Sequence, residues 1–441
     1  MLFTSARLRT KLSQSSSTTI AIYTSIVSFC LYSCVYTFRK TFAVGTFAEY
    51  QFWNVDYKVW LVVFQVCGYA LSKILGIKII SELKAANRGR SILIIVLLSG
   101  LCWLLFGLVP APWNLVFLFF NGLSLGLIWG VIFSYLEGRK ITEILAAGLS
   151  ISFILSSGMA KTIGGLLMAA GVSEFWMPFV TCMIFILPLI IFLNLLNHIP
   201  PPTAEDEASR TKRKPMNAAE RKKFILQFWP GMTLFILSYV LLTAFRDFRD
   251  NFSTEIWQAV EYTGGPEIFT TAEIPAVIMV LILVAGIMLI KNNAAAFLAN
   301  HIMIFLGMVA IGIGCWMFRQ GTLSPLAMMI TVGTGLYMAY VPFNSIFFER
   351  MLATFQFSGT VGFVMYVSDS FGYAGSLVTL FIKEFGSLNL NWLEFFLSTA
   401  MLLSVSGSIL IAFSGVYFVL KYNRKRSYER KEIMEGKPSF S

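Results

Sequence analysis

Arg39 and Lys40 are adjacent cations set between two apolar flanks, residues 20–38 and 41–48. Other ionisable residues stand inside further apolar runs: Lys73, Lys161, Arg246 and Asp369. Moving such a charge into hydrocarbon costs roughly 2.5–3.5 kcal/mol on insertion scales. Chains keep it where it faces a cavity, a partner or a substrate, although a cation at a helix end also snorkels to the headgroups. The interior set is mainly cationic. Arg39, Lys40, Lys73, Lys161 and Arg246 around one cavity would repel one another in low dielectric, and a multivalent anion would relieve that repulsion. Arginine presents a planar fork that fits phosphate or carboxylate bidentately, and lysine adds a mobile point charge.

Tyr36, Tyr69, Trp129, Tyr340 and Asn344 complete the candidate binding set. Asp369, between Ser368 and Ser370, reads either as a counter-ion to one of the cations or as a proton-coupling acid. Glu273 is the other coupling candidate. With Asp247, Arg249 and Asp250 it is expected near the outer ends of its spans. No nucleophile–base pair, Gly-rich phosphate loop or metal-ligand spacing occurs, so neither an enzyme nor a cofactor or metal is expected. The six cysteines fall in apolar runs and read as small buried hydrophobes.

The elements that must position these residues follow from composition. The 441 residues are 57% hydrophobic and 13% charged, and the mean hydropathy is +0.73. That is an all-α integral membrane protein. Apolar runs and their breaks predict twelve spans, near 20–46, 58–81, 91–110, 113–136, 141–170, 175–198, 225–247, 269–290, 295–318, 323–348, 356–384 and 392–420. Pro200-Pro201-Pro202 opens the longest polar interruption. It divides the chain into a six-helix half (1–199), a cytoplasmic linker (200–224), a second six-helix half (225–421) and a basic tail (422–441).

Of 34 Lys and Arg, 24 lie in the two termini and in alternate loops. This positive-inside pattern puts both termini in the cytoplasm and makes the net charge of +11 topological, with no nucleic-acid partner implied. The basic start lacks a small-residue cleavage site, so the first span is expected to act as its own insertion signal. Twelve spans around a central loop is the layout of the major facilitator superfamily, where substrate binds between the halves near the midplane. Phe38-Arg39-Lys40-Thr41-Phe42 in the first span is echoed by Phe245-Arg246-Asp247-Phe248 in the seventh. Related halves would let the two arginines face one another.

Several motifs carry a closer likeness. They are Tyr36 to Ala43, Tyr69-Ala70-Leu71-Ser72-Lys73, Gly122-x-x-x-Gly126-x-x-Trp129, Arg246 with Asn251-Phe252-Ser253, Tyr340-Val341-Pro342, and Gly359-Thr360 with Phe371-Gly372-Tyr373-x-Gly375. Together they resemble the organophosphate:phosphate antiporters of that superfamily, which include glycerol-3-phosphate and hexose-phosphate transporters. In that family the span 1 and span 7 arginines hold the phosphoryl group, with the span 2 lysine nearby. The resemblance implies these roles for Arg39, Arg246 and Lys73. The family's span 5 histidine has no counterpart, since the helix here reads Ser156-Ser157-Gly158-Met159-Ala160-Lys161.

The expectation is therefore a monomeric secondary transporter in a bacterial inner membrane, moving a small anionic, phosphorylated metabolite by alternating access, in exchange for inorganic phosphate. The alternatives are a proton-coupled symporter of an organic anion and a transporter-like membrane receptor for such a ligand.

Overall fold

The computed structural model describes residues 6–81, 83–136, 142–201, 218–357, 361–386 and 390–434. Most of the expected linker, the Gly359-Thr360 motif and the last residues of the tail lie outside them. Among the described residues, eleven helices are long and apolar enough to cross a membrane.

The chain-order elements of the first part are α1 (Ala6–Ser13), α2 (Ser17–Lys40), α3 (Tyr57–Ser81), α4 (Arg88–Leu108), α5 (Leu115–Leu125), α6 (Ile128–Leu136), α7 (Thr142–Ala169) and α8 (Met177–Leu196). After the linker come α9 (Ala218–Asn251), α10 (Ser253–Ala259), α11 (Ile268–Thr271), α12 (Ile274–Met288), α13 (Asn293–Arg319) and α14 (Pro325–Ser345). The chain finishes with α15 (Phe347–Phe355), α16 (Val361–Phe385), α17 (Trp392–Leu402) and α18 (Ser408–Met434). The span expected at 356–384 corresponds to α16, which carries Asp369, Lys383 and Glu384 and is not one of the eleven.

Local chemistry sets the ends of these helices. The Ser16 hydroxyl accepts from the Thr19 amide and caps α2, and Asn292, Ser324 and Asn391 cap α13, α14 and α17 in the same way. Helix α2 does not run through to 46. It ends at Lys40, continues as a buried 3-10 turn over Thr41–Val44, and leaves the span at Gly45. Arg39 and Lys40 therefore occupy the last helical turn, where the carbonyl end of the helix favours cations. Helix α9 runs one turn past the expected 247, so Arg249 and Asp250 are helical and buried.

Helix α2 packs on α7 and α8, and α3 on α5, while α9 packs on α16 and α18, and α13 on α14. Cross-contacts run from α3 to α16 and from α7 to α11, α12 and α14. The small residues of the Gly122-x-x-x-Gly126 motif let α5 meet α3 backbone to backbone. A Cβ on Gly122 would run into the carbonyl of Gln65, and one on Gly126 into Ser72. That contact fixes the rotation of α3, and with it the direction in which Tyr69 and Lys73 point. A short antiparallel hairpin, Gln51–Phe52 with Val55–Asp56, joins α2 to α3 and marks one end of the bundle, the hairpin face.

Candidate functional site

Two groups of charged side chains occupy the middle and one end of the bundle. The middle group is built on aromatic rings. Arg39 lays its guanidinium 3.9 Å from the centroid of the Tyr69 ring and 5.8 Å from that of Tyr36. Arg246 lies 4.2 Å over the ring of Tyr340. Tyr32, Tyr36 and Tyr373 are each within electrostatic range of both arginines, which places Arg39 and Arg246 around one cluster of tyrosines.

The arginines differ in their partners. Arg246 donates to one oxygen of Asp247 from Nη2 at 2.6 Å and from Nε at 3.2 Å, and the second oxygen accepts from Ser376 at 2.8 Å. Among the described residues no carboxylate pairs with Arg39, and its buried Nε has no acceptor. Opposite lies Asp369, which accepts from Tyr239 at 2.6 Å and stands 3.9 Å from the Lys73 ammonium. The Tyr239 and Tyr340 hydroxyls are 3.2 Å apart. Lys73 is itself 5.3 Å from the Tyr69 ring and 5.8 Å from that of Trp129, and Tyr69 meets Tyr373 edge to face at 5.1 Å. A continuous circuit thus runs Arg246–Tyr340–Tyr239–Asp369–Lys73–Tyr69–Arg39.

The second group ties elements together at the hairpin face. Asp250 of α9 receives Lys40 of α2 at 3.0 Å, Lys161 of α7 at 2.9 Å and the hydroxyl of Ser157. Lys40 also donates to Asn251 at 2.6 Å. Lys58, at the start of α3, donates to both oxygens of Glu255 at 2.6 and 2.8 Å and to the Ala43 carbonyl at 2.8 Å. Burial raises the Glu255 carboxyl above its usual value against the opposing pull of Lys58. Arg249 donates to Glu273 at 2.8 Å. Thr254 donates to the Val44 carbonyl at 3.0 Å, and Thr162 to that of Pro266 at 2.9 Å. A small pocket lined by Lys161, Arg249, Ser253, Trp257 and Glu273 lies among these ties.

The expected residues therefore separate. Arg39, Lys73, Arg246, Tyr36, Tyr69, Tyr340, Trp129 and Asp369 belong to the middle circuit or touch it, Trp129 also stacking on Phe133 at 5.0 Å. Lys40 and Lys161 are bound to Asp250, and Glu273 to Arg249. The Asn344 amide turns back to the Tyr340 carbonyl at 3.3 Å, on its own helix. The expected field of mutually repelling cations is largely absent. Asp247, Asp250 and Asp369 neutralise most of it. Sequence reasoning passed over Tyr32, Tyr239, Lys58 and Glu255. Tyr239 lies seven residues, two helical turns, before Arg246, a spacing that puts both on one face. Lys58 stands out as a cation in the first turn after a loop on the side poor in Lys and Arg.

Comparison with curated proteins finds no sequence match. Many solved structures are similar in fold, three of them as follows. A bacterial homologue of the human drug peptide transporters PepT1 and PepT2 aligns over 93% of this chain and 100% of its own, at 13% identity and a TM-score of 0.61. A bacterial homologue of the human lysosomal transporter Spinster, in an inward-facing and unoccupied conformation, aligns over 99% and 100%, at 12% and 0.57. A variant of the nucleoside transporter NupG aligns over 90% and 99%, at 14% and 0.58. The fold is thus the all-α membrane fold of the major facilitator transporters. Residues 41–421 match the model of a family of unknown function, DUF5690, and the chain belongs to that family.

Proposed function

We propose that this chain is a secondary transporter that carries a small anionic metabolite by alternating access, with Arg39 and Arg246 gripping the anion from the two halves, 1–199 and 225–421. The observation that carries the reading is Arg39. It is a permanently charged side chain inside a span, held by ring faces, with a buried Nε that has no acceptor among the described residues. An arriving anion supplies the missing partner, and a phosphoryl group matches the guanidinium fork. Lys73 and the tyrosine hydroxyls offer further donors. Exchange for inorganic phosphate fits the likeness to the antiporter motifs.

The ties at the hairpin face support a resting state shut on that side, which the distribution of Lys and Arg marks as the outer one. The carrier then loads from the cytoplasmic side of a bacterial inner membrane. Asp369 supports a second reading, coupling to protons, because its 3.9 Å approach to Lys73 is longer than the other ion pairs of the site and leaves that carboxylate the less firmly held.

Proteoliposomes test the proposal. Reconstituted protein should take up a small organic anion, a carboxylate, sulfate ester or phosphate ester, and Arg39→Ala or Arg246→Ala should each reduce uptake at least about a hundredfold, as for loss of a buried charge-assisted pair. Uptake of every anion tested at unchanged rates in both variants would show that the arginines do not form the site.

A further inference from the structure

The counter-ions already present around Arg39 and Arg246 limit the charge of whatever binds between them. This step rests on the anion-carrier reading above. Three cations, Arg39, Arg246 and Lys73, face two carboxylates, Asp247 and Asp369. Two N–H groups of Arg246 are committed to Asp247, and Lys73 stands beside Asp369. One positive charge, that of Arg39, is left without a carboxylate among the described residues.

Lys40 and Lys161 share the single Asp250 carboxylate, and the charge left over there is tied into the hairpin face rather than into the circuit. They are 3% and 4% exposed, and their ammonium groups are bound to the Asp250 carboxylate, to Asn251 and to the Asp250 carbonyl. A ligand could recruit them only by breaking the ties at the hairpin face. A second negative charge on the ligand would instead sit against Asp247 and Asp369 in a poorly screened interior, where like charges repel strongly. The remaining lining is phenolic. Tyr239 already donates to Asp369 and stands against Tyr340, while Tyr32 and Tyr36 are neutral donors that can satisfy anion oxygens without adding charge.

We propose that the site is built for a singly charged anion, such as a carboxylate, a sulfate ester or a phosphodiester, and selects against the doubly charged head of a phosphate monoester. The known motif likeness does not contain this. It arises from Asp247 and Asp369, acids placed beside Arg246 and Lys73 in this chain.

Phenyl sulfate and phenyl phosphate share a ring and a tetrahedral head, and at pH 8 they differ by one charge, the second phosphate pKa being about 6. Full-length protein in nanodiscs is titrated with each by calorimetry. Phenyl sulfate should bind at least about tenfold more tightly. Asp247→Asn and Asp369→Asn each raise the charge of the site by one, and each should shift the ratio about tenfold toward phenyl phosphate. Equal or tighter binding of phenyl phosphate by the unmodified protein overturns the single-charge proposal and leaves the anion-carrier reading standing. Binding of neither probe, nor of benzoate or inorganic phosphate, overturns both.

Discussion

Arg39 lies against the Tyr69 ring, the centroid 3.9 Å from the guanidinium carbon, with no salt bridge among the described residues. A desolvated contact of this kind contributes about 0.5–2 kcal/mol. Tyr69→Phe keeps the ring face, so uptake by that variant should stay near that of the unmodified protein. Tyr69→Leu removes it and should raise KM roughly 3- to 30-fold with a smaller change in kcat. If Phe is as damaging as Leu, the hydroxyl and not the face is what matters at this position. The residues of the circuit were partly legible beforehand, because they repeat at helical spacing on apolar helices. Tyr32, Tyr36 and Arg39 follow i, i+4, i+7, as do Asp369, Tyr373 and Ser376, and Tyr69 and Lys73 follow i, i+4. What one sequence could not reveal is pairing at a distance. Asp250 lies 210 residues from Lys40 and 89 from Lys161, and no local pattern announces that one carboxylate holds both.

At the scale of elements, helix–helix contact decides where those side chains point. Gly122 meets the Gln65 carbonyl and the Tyr69 amide of α3 so closely that any Cβ must push the helices apart. Overpacking of this kind costs typically about 1–3 kcal/mol. Gly286, on α12, has open space where a Cβ would stand, and alanine there gains about 0.5–1 kcal/mol of helix propensity. Gly122→Ala should therefore lower the Tm of the detergent-solubilised protein and weaken ligand binding through Tyr69, whereas Gly286→Ala should leave the Tm unchanged or raise it. The reverse order would mean that the α3–α5 contact does not position the site. The Gly-x-x-x-Gly spacing announced close approach in advance. The stop of α2 at Lys40 and the extra turn of α9 did not show in hydropathy, since the residues after Lys40 are apolar and those at the end of α9 are charged.

At the scale of the whole molecule, hydropathy alone carried the fold, because a bilayer admits few architectures for a chain with so many apolar runs. It could not say which side is shut. The contacts at the hairpin face do, joining residues 40–58 and 157–165 to residues 250–270 through ion pairs, Thr254 to Val44, and the close packing of Gly158 on Phe269. In the alternating-access carrier proposed above, all of these would have to separate in each cycle. Holding the face shut must then stop transport without emptying the site. With the six native cysteines replaced, Val44→Cys and Thr254→Cys can be joined by a short reducible bis-thiosulfonate linker. The linked protein should lose uptake in proteoliposomes and regain it on reduction, while still binding ligand in nanodiscs with unchanged affinity. Each single-cysteine variant should transport normally after the same treatment. Full uptake by the linked protein would mean that this face does not open, and that the Lys40, Lys58 and Lys161 ties are permanent struts rather than a gate.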